Sequence, residues 1–284
     1  FLNYGNRAAL KPNERATNPS KPKKVEEWLH VTPVPSELVN QYEGILNKRH
    51  KPSYIWDYRN EQGELILKVI RYDSITNGEK KKWFLPLAVY SNRHTGEISW
   101  RDKMPKGKRP LYGLHKLTEH PNATVVLAEG EKSADAAQVI FPNCVCMTWP
   151  NGTSSLNKAD FTPLIKRNVI IWPDNDEAGT KCANELRNKL KAIGAKSIGI
   201  INLESLAKTP LSESESGPLF GKDCTWPRRA DAADALELGW GPAHIEALKK
   251  SGELFLKEAV THAPSDIKPN VPQGFKLTDN GVEA

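Results

Sequence analysis

Three carboxylates directly follow two short apolar runs in the middle of the chain. Glu129 follows the run 125–128, and Asp174 and Asp176 follow the run 169–172. Short continuous apolar runs predict buried parallel strands, and functional groups gather at the carboxyl ends of such strands in open α/β sheets. Because carboxylate oxygens are the ligands that hard cations such as Mg²⁺ prefer, the spacing predicts that the three acids converge on one divalent cation.

These acids also have a purely structural interpretation. Carboxylates at the start of a helix interact favourably with the helix dipole, and Glu129 and Asp176 each precede a segment with a helical pattern. Capping explains one acid per helix, but it does not explain acids at two separate strand ends with Gly130 and Gly179 close behind. Neighbouring carboxylates repel each other unless they are protonated or bound to a cation. We therefore favour a metal site.

Alternating strand and helix patterns surround the acids and would position them. The strands are predicted at about 124–128, 144–148, 168–172 and 196–202, and the helices at about 132–141, 155–166, 177–193 and 242–251. Strands that alternate with helices predict a parallel sheet with right-handed crossovers. The core-facing side of the third helix is predicted from residues at every fourth position, namely Ala178, Cys182, Leu186 and Leu190.

The amino-terminal part of the chain has a different pattern. Residues 1 to about 27 are rich in proline and lysine and predict a flexible linker. Residues 28–50 have a helical pattern with three apolar residues on one face, Leu38, Tyr42 and Ile45. From residue 54 to about 90 the alternation has a period of two, which predicts strands at 54–58, 65–72 and 80–85. A further strand is predicted at 98–100.

Charge is unevenly distributed along the 284 residues, whose net charge is +6. Residues 1–120 carry 22 Lys and Arg against 13 Asp and Glu, whereas residues 121–284 carry 18 against 21. A basic half next to an acidic half that holds the carboxylate cluster indicates that the protein binds a polyanion and guides it to a metal site. Cations interleaved with aromatic residues in the basic half suit single-stranded nucleic acid. The alternative is an ordinary antiparallel sheet with a solvated basic face.

Membrane and secretory classes find no support in the sequence. No apolar run approaches the roughly 20 residues that a membrane span requires, and no secretory leader pattern is present. We therefore expect a cytoplasmic protein without a membrane partner. The cysteines match neither a zinc site nor a disulfide framework, and we expect reduced, buried thiols; they are Cys144, Cys146, Cys182 and Cys224.

At its acidic residues the sequence resembles the TOPRIM family, which is shared by bacterial-type primases, topoisomerases, some nucleases and recombination scaffold proteins. The family signature is a strand-terminal Glu-Gly, then a strand-terminal Asp-x-Asp followed by a Gly, with a Gly-Thr between them. Here these motifs correspond to Glu129-Gly130, Gly152-Thr153, and Asp174-Asn175-Asp176 with Gly179. The resemblance implies that Asp174 and Asp176 bind Mg²⁺, or Mn²⁺ in its place, and that Glu129 is a ligand or a general acid/base.

The resemblance extends to primases of the bacterial, phage and plasmid type. Gly63 with Arg71, Lys82 with Trp83, and Lys106 with Gly107 match their upstream basic motifs, and Asp231 matches a later acidic motif. It implies that Asp231 lies near the metal. It also implies that basic residues face nucleotide or template phosphates, and our predicted nucleic-acid contacts are Arg71, Lys82, Trp83, Lys106 and Lys132.

We therefore expect a TOPRIM domain at 121–250, a Rossmann-like parallel sheet with flanking helices, preceded by a smaller basic α+β strand-rich subdomain at 28–120. Residues 251–284 would link to a further domain, so that the chain is the primase part of a mobile-element primase–helicase. Its activity would be the template-directed synthesis of short primers on single-stranded DNA from nucleoside triphosphates, with a helicase domain or protein as partner.

Two alternatives remain. One is an Mg²⁺-dependent TOPRIM nuclease that uses the same acids and cleaves DNA without incorporating nucleotides. The other is a non-catalytic single-stranded-DNA-binding or loading module, whose binding would persist after Asp174→Ala and Asp176→Ala. A topoisomerase is disfavoured, since the chain is too short for gate domains.

Overall fold

A computed structural model of the chain describes residues 27–47, 50–76, 78–208, 225–257, 276–278 and 281–283. The predicted linker lies outside these residues except for Glu27, as do Cys224 and most of the predicted carboxyl-terminal tail. The chain divides into two compact units, of which the first contains 1–55 and 65–105 and the second contains 56–64 and 106–284. Among the described residues, no helix combines the length and apolar character needed to cross a membrane.

The first unit is built on antiparallel strands, as the period of two predicts. They are β1 (Trp28–Val31), β3 (Leu65–Thr76), β4 (Glu79–Asn92) and β5 (Ile98–Asp102), while β2 (Tyr54–Arg59) begins in this unit and continues into the second. β4 is central and pairs with β1, β3 and β5. One face of the hairpin formed by β3 and β4 lies in the core, where Ile70, Tyr72 and Leu87 are fully buried.

The helix predicted at 28–50 is wrong. Strand β1 occupies its start, and two isolated 3-10 turns, Ser36–Leu38 and Glu43–Ile45, occupy the rest. The segment contains two prolines, and a proline removes a backbone donor and biases the preceding residue towards extended structure. The predicted apolar face still packs against the core of the first unit, through Leu38, Tyr42 and Ile45.

The second unit contains the predicted parallel sheet. Its strands are β6 (Val125–Ala128), β7 (Val145–Met147), β8 (Asn168–Trp172) and β9 (Ser197–Ile200), in the order β7-β6-β8-β9. All three neighbouring pairs are parallel. Every residue of β6 and β7 is buried, because helices cover both faces, and this is why the strands read as continuous apolar runs.

Helices cover the two faces of this sheet. They are α1 (Lys116–Glu119), α2 (Glu131–Ile140), α3 (Glu177–Ile193), α4 (Leu203–Lys208), α5 (Ala232–Glu237) and α6 (Pro242–Ser251). One face packs against α2, α5 and α6 and the other against α3. The prediction for α3 is confirmed, with Cys182, Leu186 and Leu190 buried, but Ala178 is exposed.

The helix predicted at 155–166 is wrong, because two 3-10 helices, Thr153–Lys158 and Thr162–Leu164, replace it. Pro163 lies inside the predicted span and is incompatible with the interior of an α-helix. Cys146 and Cys182 are buried free thiols, as expected, whereas Cys144 is half-buried.

Candidate functional site

The two strand ends that carry the predicted acids lie side by side. β6 and β8 are neighbours, and Ala128 is the register partner of Trp172. The residues that follow them therefore emerge at the same edge of the sheet. Oε1 of Glu129 accepts a hydrogen bond from the backbone N–H of Asp174, at 3.5 Å. The carboxylate of Glu129 is thus brought into contact with the backbone of Asp174, 45 positions away in the sequence.

The Glu129 carboxylate is held from two sides. Its Oε2 accepts a hydrogen bond of 2.7 Å from the hydroxyl of Thr153, which belongs to the Gly152-Thr153 step between the two acidic motifs. Burial is the main reason that the pKa of Glu129 is raised, and the charge of Asp176 raises it further, while the hydrogen bonds from Thr153 and Asp174 oppose the shift. The strand ends therefore concentrate negative charge where solvent is partly excluded.

Asp176 is the N-cap of α3. Its Oδ1 accepts a hydrogen bond of 2.8 Å from the backbone N–H of Gly179, which satisfies one of the free donors of the first turn. Its Oδ2 lies 3.9 Å from Nε of Arg229. The capping interpretation thus holds for Asp176, although capping engages one carboxylate oxygen only. It does not hold for Glu129, because the N-cap of α2 is Gly130.

The glycines that follow the two acidic motifs have different physical roles. A Cβ on Gly179 would lie 2.3 Å from the carbonyl oxygen of Asp174, so α3 approaches the acidic loop only because this position has no side chain. Gly130 is extended, with φ 163°, and a Cβ there would meet no atom of the residues that the structure describes within 4 Å. Gly179 is required by packing, whereas no contact among the described residues requires Gly130.

Asn175, the middle residue of the Asp-x-Asp motif, joins the site to a distant segment. Its side-chain amide donates to the carbonyls of Trp226 at 2.6 Å and Pro227 at 2.9 Å. Its backbone N–H donates to Ala230 at 3.0 Å, and its carbonyl accepts from Arg229 at 2.8 Å. Four hydrogen bonds therefore fix residues 226–230 at the end of β8. The role of Asn175 was not predicted from the sequence, although an amide between two strand-end acids is a local signal for it.

Asp231 lies directly after this segment and contacts the helix that follows Glu129. It is the N-cap of α5, and its Oδ1 accepts from the backbone N–H groups of Ala233 and Asp234. Its Oδ2 accepts from the hydroxyl of Ser133 on α2, at 2.5 Å. The structure therefore joins Asp231 to the helix that starts beside Glu129, and its role as a metal ligand stays a prediction.

Buried polar contacts from residues 56–58 hold α2 in place. The hydroxyl of Tyr58 donates to Glu131 at 2.7 Å, and the indole N–H of Trp56 donates to Asp135 at 2.8 Å. Burial and the charge of Glu131 raise the pKa of the Tyr58 hydroxyl. The hydroxyl of Tyr112 also donates to Asp135. These long-range contacts fix the helix that follows Glu129, and no local sequence pattern predicts them.

The donor set suits a hard divalent cation in its chemistry. Within the described ranges, however, no group of three or more His, Cys, Asp and Glu side chains is arranged to hold a metal ion. Glu129 touches the backbone of Asp174, and the charge of Asp176 raises its pKa. A cation would relieve this repulsion, and all the donors are carboxylate oxygens. The three acids thus fit a divalent cation by charge and chemistry, and their convergence on it stays a prediction.

In the first unit, two predicted nucleic-acid contacts lie on one face of the β3–β4 hairpin. Arg71 forms an ion pair of 2.8 Å with Asp73 and lies over the ring of Tyr54 at 5.6 Å. Lys82 is the register partner of Asp73, and directly paired residues of an antiparallel sheet share a face. We call this side, with Tyr54, Arg71, Lys82 and Phe84, the basic face.

Trp83 lies on the opposite side of the hairpin. It stacks on Tyr72 with 5.1 Å between ring centroids and meets His50 edge-on at 5.0 Å. The aromatic residue on the basic face is instead Phe84, the register partner of Arg71, which is 43% exposed. Phe84 was not predicted from the sequence, although it lies two residues from Lys82 along the same strand and therefore on the same face.

The remaining predicted contacts lie in the second unit. Lys106 is exposed in the loop before α1, and in the same loop Arg109 donates to Ser155 at 2.7 Å, close behind Thr153 in the sequence. Lys132 forms an ion pair of 2.8 Å with Glu237 of α5. The structure thus connects the Lys106 loop to the Gly-Thr segment, and contact with nucleic acid stays a prediction for both lysines.

Residues 31–175, just over half of the chain, match the family described as "Domain of unknown function (DUF6371)". No match was found among curated proteins.

Several solved structures are similar to the chain. A DNA primase domain from Pseudomonas aeruginosa has 14% sequence identity and a TM-score of 0.40, with 69% of this chain and 50% of that chain covered. The catalytic domain of DnaG primase bound to ssDNA has 15% identity and a TM-score of 0.37, with 69% and 50% covered. The E. coli primase catalytic core has 14% identity and a TM-score of 0.38, with 69% and 51% covered. The chain spans about half the length of these structures, and similarity at this level does not assign an activity.

Proposed function

We propose that this chain, which belongs to the DUF6371 family, is the catalytic core of a TOPRIM-type DNA primase. It would use Mg²⁺, or Mn²⁺ in its place, to make short primers on single-stranded DNA from nucleoside triphosphates. The observation that carries the proposal is the hydrogen bond from the backbone N–H of Asp174 to the Glu129 carboxylate at neighbouring strand ends, with Asp176 two residues on. The motif order, Glu-Gly, Gly-Thr, Asp-x-Asp and Gly, supports the TOPRIM assignment.

In this proposal Glu129, Asp174 and Asp176 hold the divalent cation. When bound, the cation would neutralise charge on the triphosphate and on the departing pyrophosphate. The chain contributes preorganisation. Thr153 fixes one oxygen of Glu129 and the cap on α3 fixes one oxygen of Asp176, so little side-chain reorganisation is needed when the charge develops.

The reaction would join the 3′-oxygen of the growing strand to the α-phosphorus of the incoming nucleotide and break the α–β phosphoanhydride bond. Pyrophosphate leaves with the electrons of that bond, and the 3′-hydroxyl loses a proton. Glu129 would be either a ligand of the cation or the acceptor of this proton. Without a cation bound to it, burial and the charge of Asp176 raise its pKa, and a base with a raised pKa accepts protons more readily.

The template would bind the basic face of the first unit. Arg71 and Lys82 supply cations for phosphates and Phe84 supplies an exposed ring for base stacking, the combination on which single strands bind. Lys106 and Lys132 are proposed as further phosphate contacts, and Lys132 would exchange its ion pair with Glu237 for one with phosphate. The likeness of the basic motifs to phage and plasmid primases supports a role in mobile-element replication beside a helicase.

One assay separates this proposal from the nuclease and the binding module. Labelled single-stranded DNA, with and without an annealed primer, is incubated with nucleoside triphosphates and Mg²⁺ or Mn²⁺. The parent chain is compared with Asp174→Asn and Asp176→Asn. Asparagine is a matched replacement, because it removes the charge and is as good an N-cap as aspartate.

Each function gives a different result in this assay. The primase lengthens the DNA or makes new product, and both variants lose that product. A nuclease shortens the DNA and incorporates nothing. A binding module leaves the DNA unchanged in length, with equal affinity in the parent and both variants, and that result would overturn the proposal.

A further inference from the structure

Arg229 lies beside the acids, and no motif in the neighbouring sequence predicts this position. Its Nε lies 3.9 Å from Oδ2 of Asp176, while its side chain is 77% exposed. Its backbone N–H donates to the carbonyl of Asn175 at 2.8 Å. The Asp-x-Asp motif therefore holds this arginine in place through its middle residue, and the guanidinium lies at the solvent side of the acidic site.

The backbone of Arg229 is strained. Its φ is 63°, in the left-handed region that glycine, asparagine and aspartate occupy far more readily than arginine. An ion pair at 3.9 Å on an exposed side chain returns little stability, so the contact with Asp176 does not account for an arginine here. Strained residues that the surrounding hydrogen bonds over-determine are concentrated at functional sites.

The placement suits a phosphate group. A cation bound by the three acids would attract a polyphosphate, and oxygens of that polyphosphate that the cation does not contact would need donors from the protein. A guanidinium offers planar, forked N–H donors that match phosphate oxygens. Arg229 is within reach of Asp176 and is largely exposed, so its side chain can turn from the carboxylate to a phosphate.

We propose that Arg229 binds a phosphate of the incoming nucleoside triphosphate, and that Asn175 positions it for this role. The inference rests on the proposed function, since it needs a triphosphate at the acidic site. Arg229 leaves Asp176 when the triphosphate binds with its cation. In the absence of substrate it partly neutralises the carboxylate.

The test measures binding of the Mg²⁺ complexes of a nucleoside triphosphate and of inorganic triphosphate by isothermal titration calorimetry. The central variant is Arg229→Gly, which removes the guanidinium, keeps the backbone hydrogen bond to Asn175 and suits a positive φ. Arg229→Lys keeps the charge but loses the fork. Arg228→Ala is the matched control, because it removes an exposed neighbouring arginine. Urea unfolding of each variant reports folding separately.

We expect Arg229→Gly to weaken binding of both ligands about tenfold or more while it unfolds at the same or higher urea concentration than the parent. Arg229→Lys should fall between, and Arg228→Ala should bind as the parent does. Parent-like binding by Arg229→Gly, with incorporation intact, would overturn the inference and leave the proposed function standing. A parent chain that binds neither triphosphate overturns both.

Discussion

Substituting alanine for Gly179 tests whether the packing of α3 against the acidic loop has been interpreted correctly. In the interior of an exposed helix, Gly→Ala ordinarily stabilises by about 1 kcal/mol. Here the added Cβ would lie 2.3 Å from the carbonyl oxygen of Asp174 and 3.0 Å from its carbonyl carbon. Because the clashing atoms belong to the backbone, no rotation of a side chain can relieve the overlap, and either the helix or the loop must move.

The expected sign follows from comparing these effects. Overpacking of this kind costs about 1–3 kcal/mol, and a displaced first turn also weakens the Asp176 cap, which is worth about 1 kcal/mol. Against a propensity gain of about 1 kcal/mol, we expect Gly179→Ala to lower the free energy of unfolding by about 2 kcal/mol. The displacement of Asp174 should also reduce incorporation by up to about 100-fold, the effect of a misplacement of about 1 Å.

Gly130→Ala is the matched control. Its Cβ meets no atom within 4 Å in the described part of the chain, and the poorer N-cap that alanine makes is offset by the lower entropy of the unfolded chain. We expect its free energy of unfolding to change by less than about 0.5 kcal/mol. Urea unfolding followed by circular dichroism measures both variants. If Gly179→Ala were as stable as the parent, the close approach of α3 to Asp174 would be wrong.

Three further predictions concern single side chains. Asn175→Ala leaves two carbonyls without their donor, which costs about 1–3 kcal/mol, and should speed amide hydrogen exchange across 226–230; unchanged exchange would contradict the connection. The folded-state pKa of Glu129 is raised, so its contribution to stability is full at acid pH and is lost as pH rises through that pKa. Glu129→Gln should therefore unfold at a higher urea concentration than the parent at pH 7, and this gain in stability should shrink towards acid pH. A gain in stability that does not vary with pH would show that it does not come from the charge on Glu129. Phe84→Ala should weaken binding of single-stranded DNA by about 1–3 kcal/mol in fluorescence anisotropy, with little loss of stability. Trp83→Ala should mainly destabilise the first unit. The reverse outcome would show that Trp83, and not Phe84, lies on the face that binds DNA.

The elements around the site were predictable because their signals are local. Strand β8 and helix α3 fall where the apolar run and the helical period place them, with Asp176 between them. A parallel strand that is buried on both faces can be recognised without knowing its neighbours, since it is a continuous run of apolar residues. The same locality explains the failure at 28–50, where the spacing of apolar residues was correct for burial, but prolines and pairing with β4 decided the backbone conformation.

The contacts that complete the site are long-range and could not be predicted from local patterns. Asn175 binds carbonyls 51 and 52 positions away, and Asp231 contacts Ser133 across 98 positions. Such contacts depend on how α5 packs against α2, which no period in the sequence encodes. Trp83 was predicted to contact nucleic acid, but Phe84 is the aromatic residue on the basic face. This error is only one residue in size, because a shift of one residue along a strand reverses the face on which a side chain lies.

The most direct test of the central claim is nucleotide incorporation by Asp174→Cys in the presence of different metals. A thiolate binds soft cations well and Mg²⁺ poorly, so a direct ligand should change the metal preference of the enzyme. We predict that Asp174→Cys loses incorporation with Mg²⁺ and regains part of it with Cd²⁺, whereas the parent gains nothing from Cd²⁺. Full activity of Asp174→Cys with Mg²⁺, or no recovery with Cd²⁺, would contradict a metal-binding role for Asp174.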